Sequence, residues 1–126
     1  MSRLRQTIAN RLLDAQHSAA ILSTFNEVDL SEVMALRKRY SEAFEARYTV
    51  RLGYMSFFVR ACVEALQAFP LVNAQIEGTD VLYHDHFDIG IAVSSPRGLV
   101  VPVLRDANTK RFSEIEIGRA SCRERV

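Results

Sequence analysis

The sequence predicts an α+β fold with an antiparallel or mixed sheet. Helical spacing of apolar residues dominates up to Pro70, and strict alternation takes over beyond it. The composition, 48% hydrophobic and 25% charged, is that of a globular protein and argues against disorder. At 126 residues the chain is one domain or part of one. A compact globule of that size buries about two-thirds of its unfolded surface, enough for a real core.

Leu4, Ile8, Leu12 and Ala15 recur at helical spacing between arginines and polar residues, so residues 2–16 read as an amphipathic helix closed by His17-Ser18. Residues 21–28 are rich in β-branched and aromatic side chains and read as a strand. Asp29 followed by Glu32 has the spacing of a capping box, with Asp in place of Ser or Thr. The helix it opens, from Leu30, carries Val33, Leu36, Tyr40 and Phe44 as its apolar stripe. A third helix over residues 54–69 places Met55, Phe58, Cys62, Leu66 and Phe69 on one face. Phe57, Ala61 and Ala65 widen that face, so this helix is expected to be nearly buried, with Pro70 ending it.

Residues 74–77 and 81–84 flank Gly78-Thr79-Asp80 as a short hairpin. Phe87, Ile89, Ile91 and Val93 alternate with Asp88, Gly90, Ala92 and Ser94, a half-buried strand. Ser95-Pro96-Arg97-Gly98 fits a type I turn with Arg97 exposed at its tip. Residues 99–104 form the return strand, where Pro102 marks an edge or a bulge. Phe112, Ile115 and Glu116 open another helix, which Gly118 is expected to interrupt after one turn. The residues that follow have no apolar stripe, and 118–126 are expected to be disordered or packed on nothing.

Sixteen basic residues against fifteen acidic ones leave a net charge of +1, without the basic field of a nucleic-acid binder. The longest apolar runs fall well short of the ~20 residues a membrane-spanning helix needs. The opening Met1-Ser2-Arg3-Leu4-Arg5 turns amphipathic at once, so no secretory signal is expected. Two cysteines, Cys62 and Cys122, make no disulfide framework, and a reducing compartment is the simplest reading.

General catalytic motifs are absent: no glycine-rich phosphate loop, no His-Glu-x-x-His, no Gly-x-Ser-x-Gly. His84 and His86 would face one side of a strand, with Asp88 as a third metal ligand. A polar turn between strands is preferred, because no Cys or fourth ligand is near. His17 suits the negative end of a helix dipole, and Cys62 reads as a core residue rather than a nucleophile. No catalytic residue and no metal ligand is assigned.

Several blocks together point to one family. They are Ser-Arg-Leu-Arg-Gln-Thr-Ile-Ala-Asn-Arg-Leu-Leu from Ser2, Ser-Thr-Phe-Asn-Glu-Val-Asp-Leu from Ser23, Arg-Leu-Gly-Tyr-Met-Ser-Phe-Phe from Arg51, Phe-Pro-Leu-Val-Asn-Ala from Phe69, and the stretch from Ser94 to Asp106. In order and without large gaps, residues 2–116 resemble the acyltransferase catalytic domains of 2-oxoacid dehydrogenase complexes. Thr-Phe-Asn-Glu-Val points to the succinyl branch.

The resemblance implies part of a chloramphenicol-acetyltransferase-like fold, helices packed on a mixed sheet. It implies succinyl transfer from the lipoyl-lysine of a separate domain to coenzyme A, as a substrate, within the 2-oxoglutarate dehydrogenase complex of the tricarboxylic acid cycle, without a metal. It implies homotrimers building a larger core, with decarboxylase and dihydrolipoamide dehydrogenase components as partners and neither nucleic acid nor membrane. The compartment would be the bacterial cytoplasm, or the mitochondrial matrix in a eukaryote. Arg37, Gly53 and Ser94 match positions on the coenzyme A side of the family's channel, and an arginine suits a phosphate through its two-pronged donor edge.

The family's base is a histidine in an Asp-His-Arg-x-x-Asp-Gly motif, and its oxyanion hydroxyl lies in a Thr-Asn segment; neither occurs in these 126 residues. Residues 1–116 therefore read as the N-terminal half of the catalytic domain, and 117–126 as a non-native tail resembling translated vector or adaptor sequence. The alternative is a non-catalytic structural or assembly fragment of the same complex.

Overall fold

The computed structural model describes residues 2–95 and 98–124. Helix α1 (Arg3–His17) is capped by Ser2, whose hydroxyl accepts from Arg5 N, and His17 sits in its last turn as expected. Residues 19–30 have no regular structure. The strand expected over 21–28 does not form. Strand propensity needs a partner to take up its N–H and C=O groups, and none pairs with this segment among the described residues. Phe25 is left 96% exposed.

Helix α2 (Ser31–Tyr48) starts where expected, but not through a capping box. Asp29 Oδ1 accepts from the amide and hydroxyl of Ser31, at 2.8 and 2.6 Å, and these bonds hold the Asp29 carboxyl below its ordinary pKa. The helix has no buried residue; its stripe of Leu36, Tyr40 and Phe44 lines an open apolar groove with Leu52, Phe57 and Phe112.

Helix α3 (Met55–Ala68) is the centre of the packing, yet it turns a different face inward from the one expected. Ser56, Val59 and Val63 are buried, whereas Phe58 and Cys62 are exposed. Cys62 is therefore a surface thiol and not a core residue, and the helix is not nearly buried. The inward stripe holds a polar residue because the Ser56 hydroxyl donates to Gly53 O at 3.3 Å. Val59 and Val63 join Ile91 and Leu104 in the core.

After a 3₁₀ turn (Pro70–Asn73), β1 (Ala74–Glu77) and β2 (Asp80–Tyr83) pair antiparallel across Gly78-Thr79. The expected strand and return strand are each split in two. β3 (Ile89–Gly90) pairs with β6 (Val103–Leu104), and β4 (Val93–Ser95) with β5 (Gly98–Val100). Both pairs keep one register, Ile89 opposite Leu104 and Val93 opposite Val100. They form one long hairpin interrupted at Pro102, which has no N–H to give but accepts from Ile91 N at 3.0 Å. The Pro96-Arg97 tip, with the expected turn, lies outside the described residues. The class is α+β as expected, and the described strand pairs are all antiparallel.

Helix α4 (Phe112–Glu124) begins with Arg111 N donating to Glu114 Oε2 at 2.7 Å, the return half of a capping box. Gly118 does not interrupt it. A Cβ there would stand 2.7 Å from Leu104 Cδ2, so the glycine lets the helix backbone lie directly on β6. The expectation of a one-turn helix thus fails, and so does that of a tail packed on nothing from residue 118, because Gly118 lies on Leu104 and Arg119 pairs with Glu116. The core gathers Val59, Val63, Ile91, Leu104, Ala107 and Ile115. Beside it, Asp88 Oδ1 accepts from Asp106 N at 3.0 Å and Oδ2 pairs with Arg105, clamping the loop after β6 onto the hairpin.

Ile115 is fully buried. Ile115→Ala is expected to lower unfolding stability by about 2–4 kcal/mol, and Phe25→Ala by no more than about 0.5 kcal/mol, both read from urea titrations.

The Asp106 amide and Arg105 hold the Asp88 carboxyl below its ordinary pKa. That stabilisation is present above the unfolded carboxylate value of about 4 and is lost as pH falls through the lower folded value. Asp88→Asn should flatten the acid limb of a melting-temperature profile below about pH 4 while lowering the plateau at neutral pH.

Candidate functional site

Arg37 follows Leu36 of the apolar stripe, so its stem borders the packed side of α2 and its head reaches past it. Its Nε donates to Leu52 O at 2.7 Å. Its guanidinium carbon lies 4.5 Å from the centre of the Tyr54 ring. The two contacts fix the group in different ways, one along an edge and one against a face. Arg37 and Tyr54 line a cavity of about 440 Å³ with Met34, Ala35, Lys38 and Ser41. Two cations and a hydroxyl on one helical face, without a carboxylate in the lining, suit an anionic ligand.

Gly53 lies in the same short segment. Its N–H donates to Glu116 Oε1 at 3.0 Å, and its carbonyl accepts from Ser56. Glu116 is 2% exposed and pairs with Arg119 at 3.1 Å. A Cβ on Gly53 would fall 2.9 Å from Glu116 Oε1, so any side chain there has to push the buried carboxylate aside.

Ser94 stands on β4 opposite Leu99 and is exposed. It lines a second cavity, of about 380 Å³, walled by Met55, Ile91, Val93 and Arg119. The structure thus brings Arg37 and Gly53 to one segment and sets Ser94 on a different cavity, with residues 52–55 running between the two.

Tyr54, Lys38 and the Leu52 carbonyl escape the sequence reading. Lys38 is adjacent to Arg37 and could have been paired with it. The Arg37–Tyr54 contact spans two helices and leaves no local signal.

The His84 and His86 rings lie 5.2 Å apart, held by Asn73 Nδ2 donating to both backbone carbonyls. Asp88, the third ligand considered, is engaged with Arg105 and Asp106. Among the described residues no three His, Cys, Asp or Glu side chains group as a metal site, and no helix is long and apolar enough to cross a membrane.

The α+β fold is shared with a solved dihydrolipoamide acetyltransferase. The chain belongs to the 2-oxoacid dehydrogenases acyltransferase (catalytic domain) family, whose profile matches residues 1–126. It is 60% identical over 116 residues, 92% of its length, to the dihydrolipoyllysine-residue succinyltransferase component of the 2-oxoglutarate dehydrogenase complex of Haemophilus influenzae. It spans 28–29% of the length of such relatives.

Among solved structures, the dihydrolipoamide acetyltransferase of Azotobacter vinelandii superposes with a TM-score of 0.90 at 27% identity, over 99% of this chain and 52% of that one. The cubic core of a pyruvate dehydrogenase multienzyme complex superposes with a TM-score of 0.89 at 27% identity, over the same shares. The expected family and fold are borne out.

Gly53→Ala should cost about 1–3 kcal/mol by displacing the Glu116 carboxylate from the Gly53 amide. Because the two residues touch, Gly53→Ala combined with Glu116→Ala should cost less than the two single changes added. Additive losses in urea titration would show that the contact is not what excludes a side chain at residue 53.

Proposed function

We propose that this chain supplies the coenzyme A side of a succinyltransferase, which moves a succinyl group from lipoyl-lysine to coenzyme A within the 2-oxoglutarate dehydrogenase complex. The observation that carries this reading is identity of about 60% over 116 residues with succinyltransferase components of that complex. The cavity of Arg37, Lys38 and Ser41 supports it, because coenzyme A enters as a polyanion. Gly53 joins the reading through the segment that carries Leu52 and Tyr54, and Ser94 only through the family resemblance, since it lines the separate cavity beside Met55 and Arg119.

In the reaction the coenzyme A sulfur attacks the thioester carbonyl, a new thioester forms, and the dihydrolipoyl sulfur leaves carrying the proton. A base must take the thiol proton and donors must hold the oxyanion. The Asp-His-Arg-x-x-Asp-Gly segment that carries the family's base is not among these 126 residues, so the chain binds and orients without performing the proton transfer.

The reading places residues 1–116 as the N-terminal half of the catalytic domain and 117–126 as a non-native tail; against that boundary, the family profile runs to residue 126 and Arg119 pairs with Glu116. It also places the protein in homotrimers of a larger core, alongside decarboxylase and dihydrolipoamide dehydrogenase, in a bacterial cytoplasm or a mitochondrial matrix. The cubic core found among the solved structures supports the assembly.

The test is a chimera in which residues 1–116 replace the matching segment of the Haemophilus influenzae relative. Transfer of succinyl to coenzyme A is expected at a rate within about tenfold of that relative, while the isolated 126-residue chain is expected to show none above background. A folded chimera that transfers nothing would favour the non-catalytic assembly fragment instead.

A further inference from the structure

We propose that Tyr54 is a positioning residue, which together with the Leu52 carbonyl holds the Arg37 guanidinium so that its Nη edge receives a phosphate of coenzyme A beside Lys38. The inference rests on the reading that this cavity takes coenzyme A.

An arginine head on a flexible stem has to be oriented before its donors can match a phosphate. Two contacts supply that orientation. The 2.7 Å bond from Nε to Leu52 O pins one edge, and the Tyr54 ring, 4.5 Å from the guanidinium carbon, fixes the plane. The Nε bond leaves the two Nη groups as the remaining donor edge, the arrangement that grips a phosphate with two parallel hydrogen bonds.

Lys38 adds a second positive charge to the same cavity, and Ser41, one turn on from Arg37, adds a hydroxyl. The other two arginine–tyrosine contacts are of a different kind. Arg39–Tyr40 and Arg47–Tyr48, both at 5.3 Å, join sequence neighbours. Arg37 reaches across from α2 to a ring at the entrance of α3, and it alone of the three also donates to a carbonyl of that segment.

The experiment measures equilibrium binding of coenzyme A to the full 126-residue chain and its variants, with helix content checked by circular dichroism. Tyr54→Phe keeps the ring face and should retain most of the affinity. Tyr54→Leu removes it and should weaken binding about five- to tenfold. In the Arg37→Ala background, Tyr54→Leu should weaken binding no further, because Tyr54 acts through Arg37. Repeating the series with dephospho-coenzyme A separates the two phosphate sources. The effect disappears with that ligand if the 3′-phosphate is the one gripped, and persists if it is the pyrophosphate; both results support the proposal.

Failure of the unsubstituted chain to bind coenzyme A overturns both the underlying reading and the inference. Binding that is lost in Arg37→Ala but unchanged in Tyr54→Leu overturns the positioning role alone. Equal losses in Tyr54→Phe and Tyr54→Leu, or a further loss from Tyr54→Leu in the Arg37→Ala background, overturn it as well. The double variant also guards against misfolding, since a purely structural role for Tyr54 would show in both backgrounds.

Discussion

The structure depends on one apolar cluster, in which Val59 and Val63 of α3 gather with Ile91 and Leu104 of the long hairpin and with Ala107 and Ile115. At about 25 cal/mol per Å² of apolar surface, so small a cluster stabilises modestly. It still decides the placement of everything near the site. It sets the angle at which α3 leaves residues 52–55, and it holds α4 where Glu116 reaches the Gly53 amide. Asp88 locks the loop after β6 from the other side. The candidate site is therefore half-anchored: Leu52 and Tyr54 lie beside the core, whereas Arg37, Lys38 and Ser41 stand on α2, which buries none of its own residues.

Arg37 is the point at which the fold and the proposed binding share one side chain. Helix α2 buries no residue of its own. Its attachment consists of the Arg37 bond to Leu52 O, the Arg37–Tyr54 stack and the open groove of Leu36, Tyr40 and Phe44. The guanidinium divides the work by geometry: Nε and one face serve the fold, and the Nη edge remains for a ligand. Lysine could supply the charge but not the division, since an ammonium has neither an edge to spare nor a plane to stack.

The helices and the hairpins were legible because their signals are local. Alternation from Phe87 to Val93 and the helical spacing in α1 and α2 are read without knowledge of partners. Even the break at Pro102 follows from a missing donor. What was not legible depended on what each segment meets. Residues 21–28 have strand composition but no strand to pair with. In α3 the largest side chains suggested one face, and the hairpin selected the neighbouring one, where Val59 and Val63 fit and Ser56 bonds back to Gly53. Gly118 read as a breaker because helix propensity is local, whereas its value here is clearance for Leu104. Arg37 is picked out by family resemblance; its partners Leu52 and Tyr54 are not, because a contact between α2 and the segment ahead of α3 has no signature along the chain.

The surface area bears on the proposed assembly. A compact protein of this mass exposes about 6,800 Å², whereas this chain exposes 10517 Å². Much of the excess lies where the sequence is apolar. Leu22 is 84% exposed, Phe25 96% and Ile76 80%, and α1 carries Ile8, Leu12 and Leu13 into solvent. Exposed apolar side chains are ordinary when scattered, but not when they run along an extended arm and one face of each of two helices. Burying them requires surfaces that the compact part of this chain does not offer, since its core is already closed by α4. A chain of this shape is what a subunit looks like when its apolar faces are completed by further protein, which supports the reading of a component in a larger core. The cationic cavity by Arg37 contrasts with those faces. It carries two cations, Arg37 and Lys38, and the Arg37 contacts to Leu52 and Tyr54 that shape it lie within this chain.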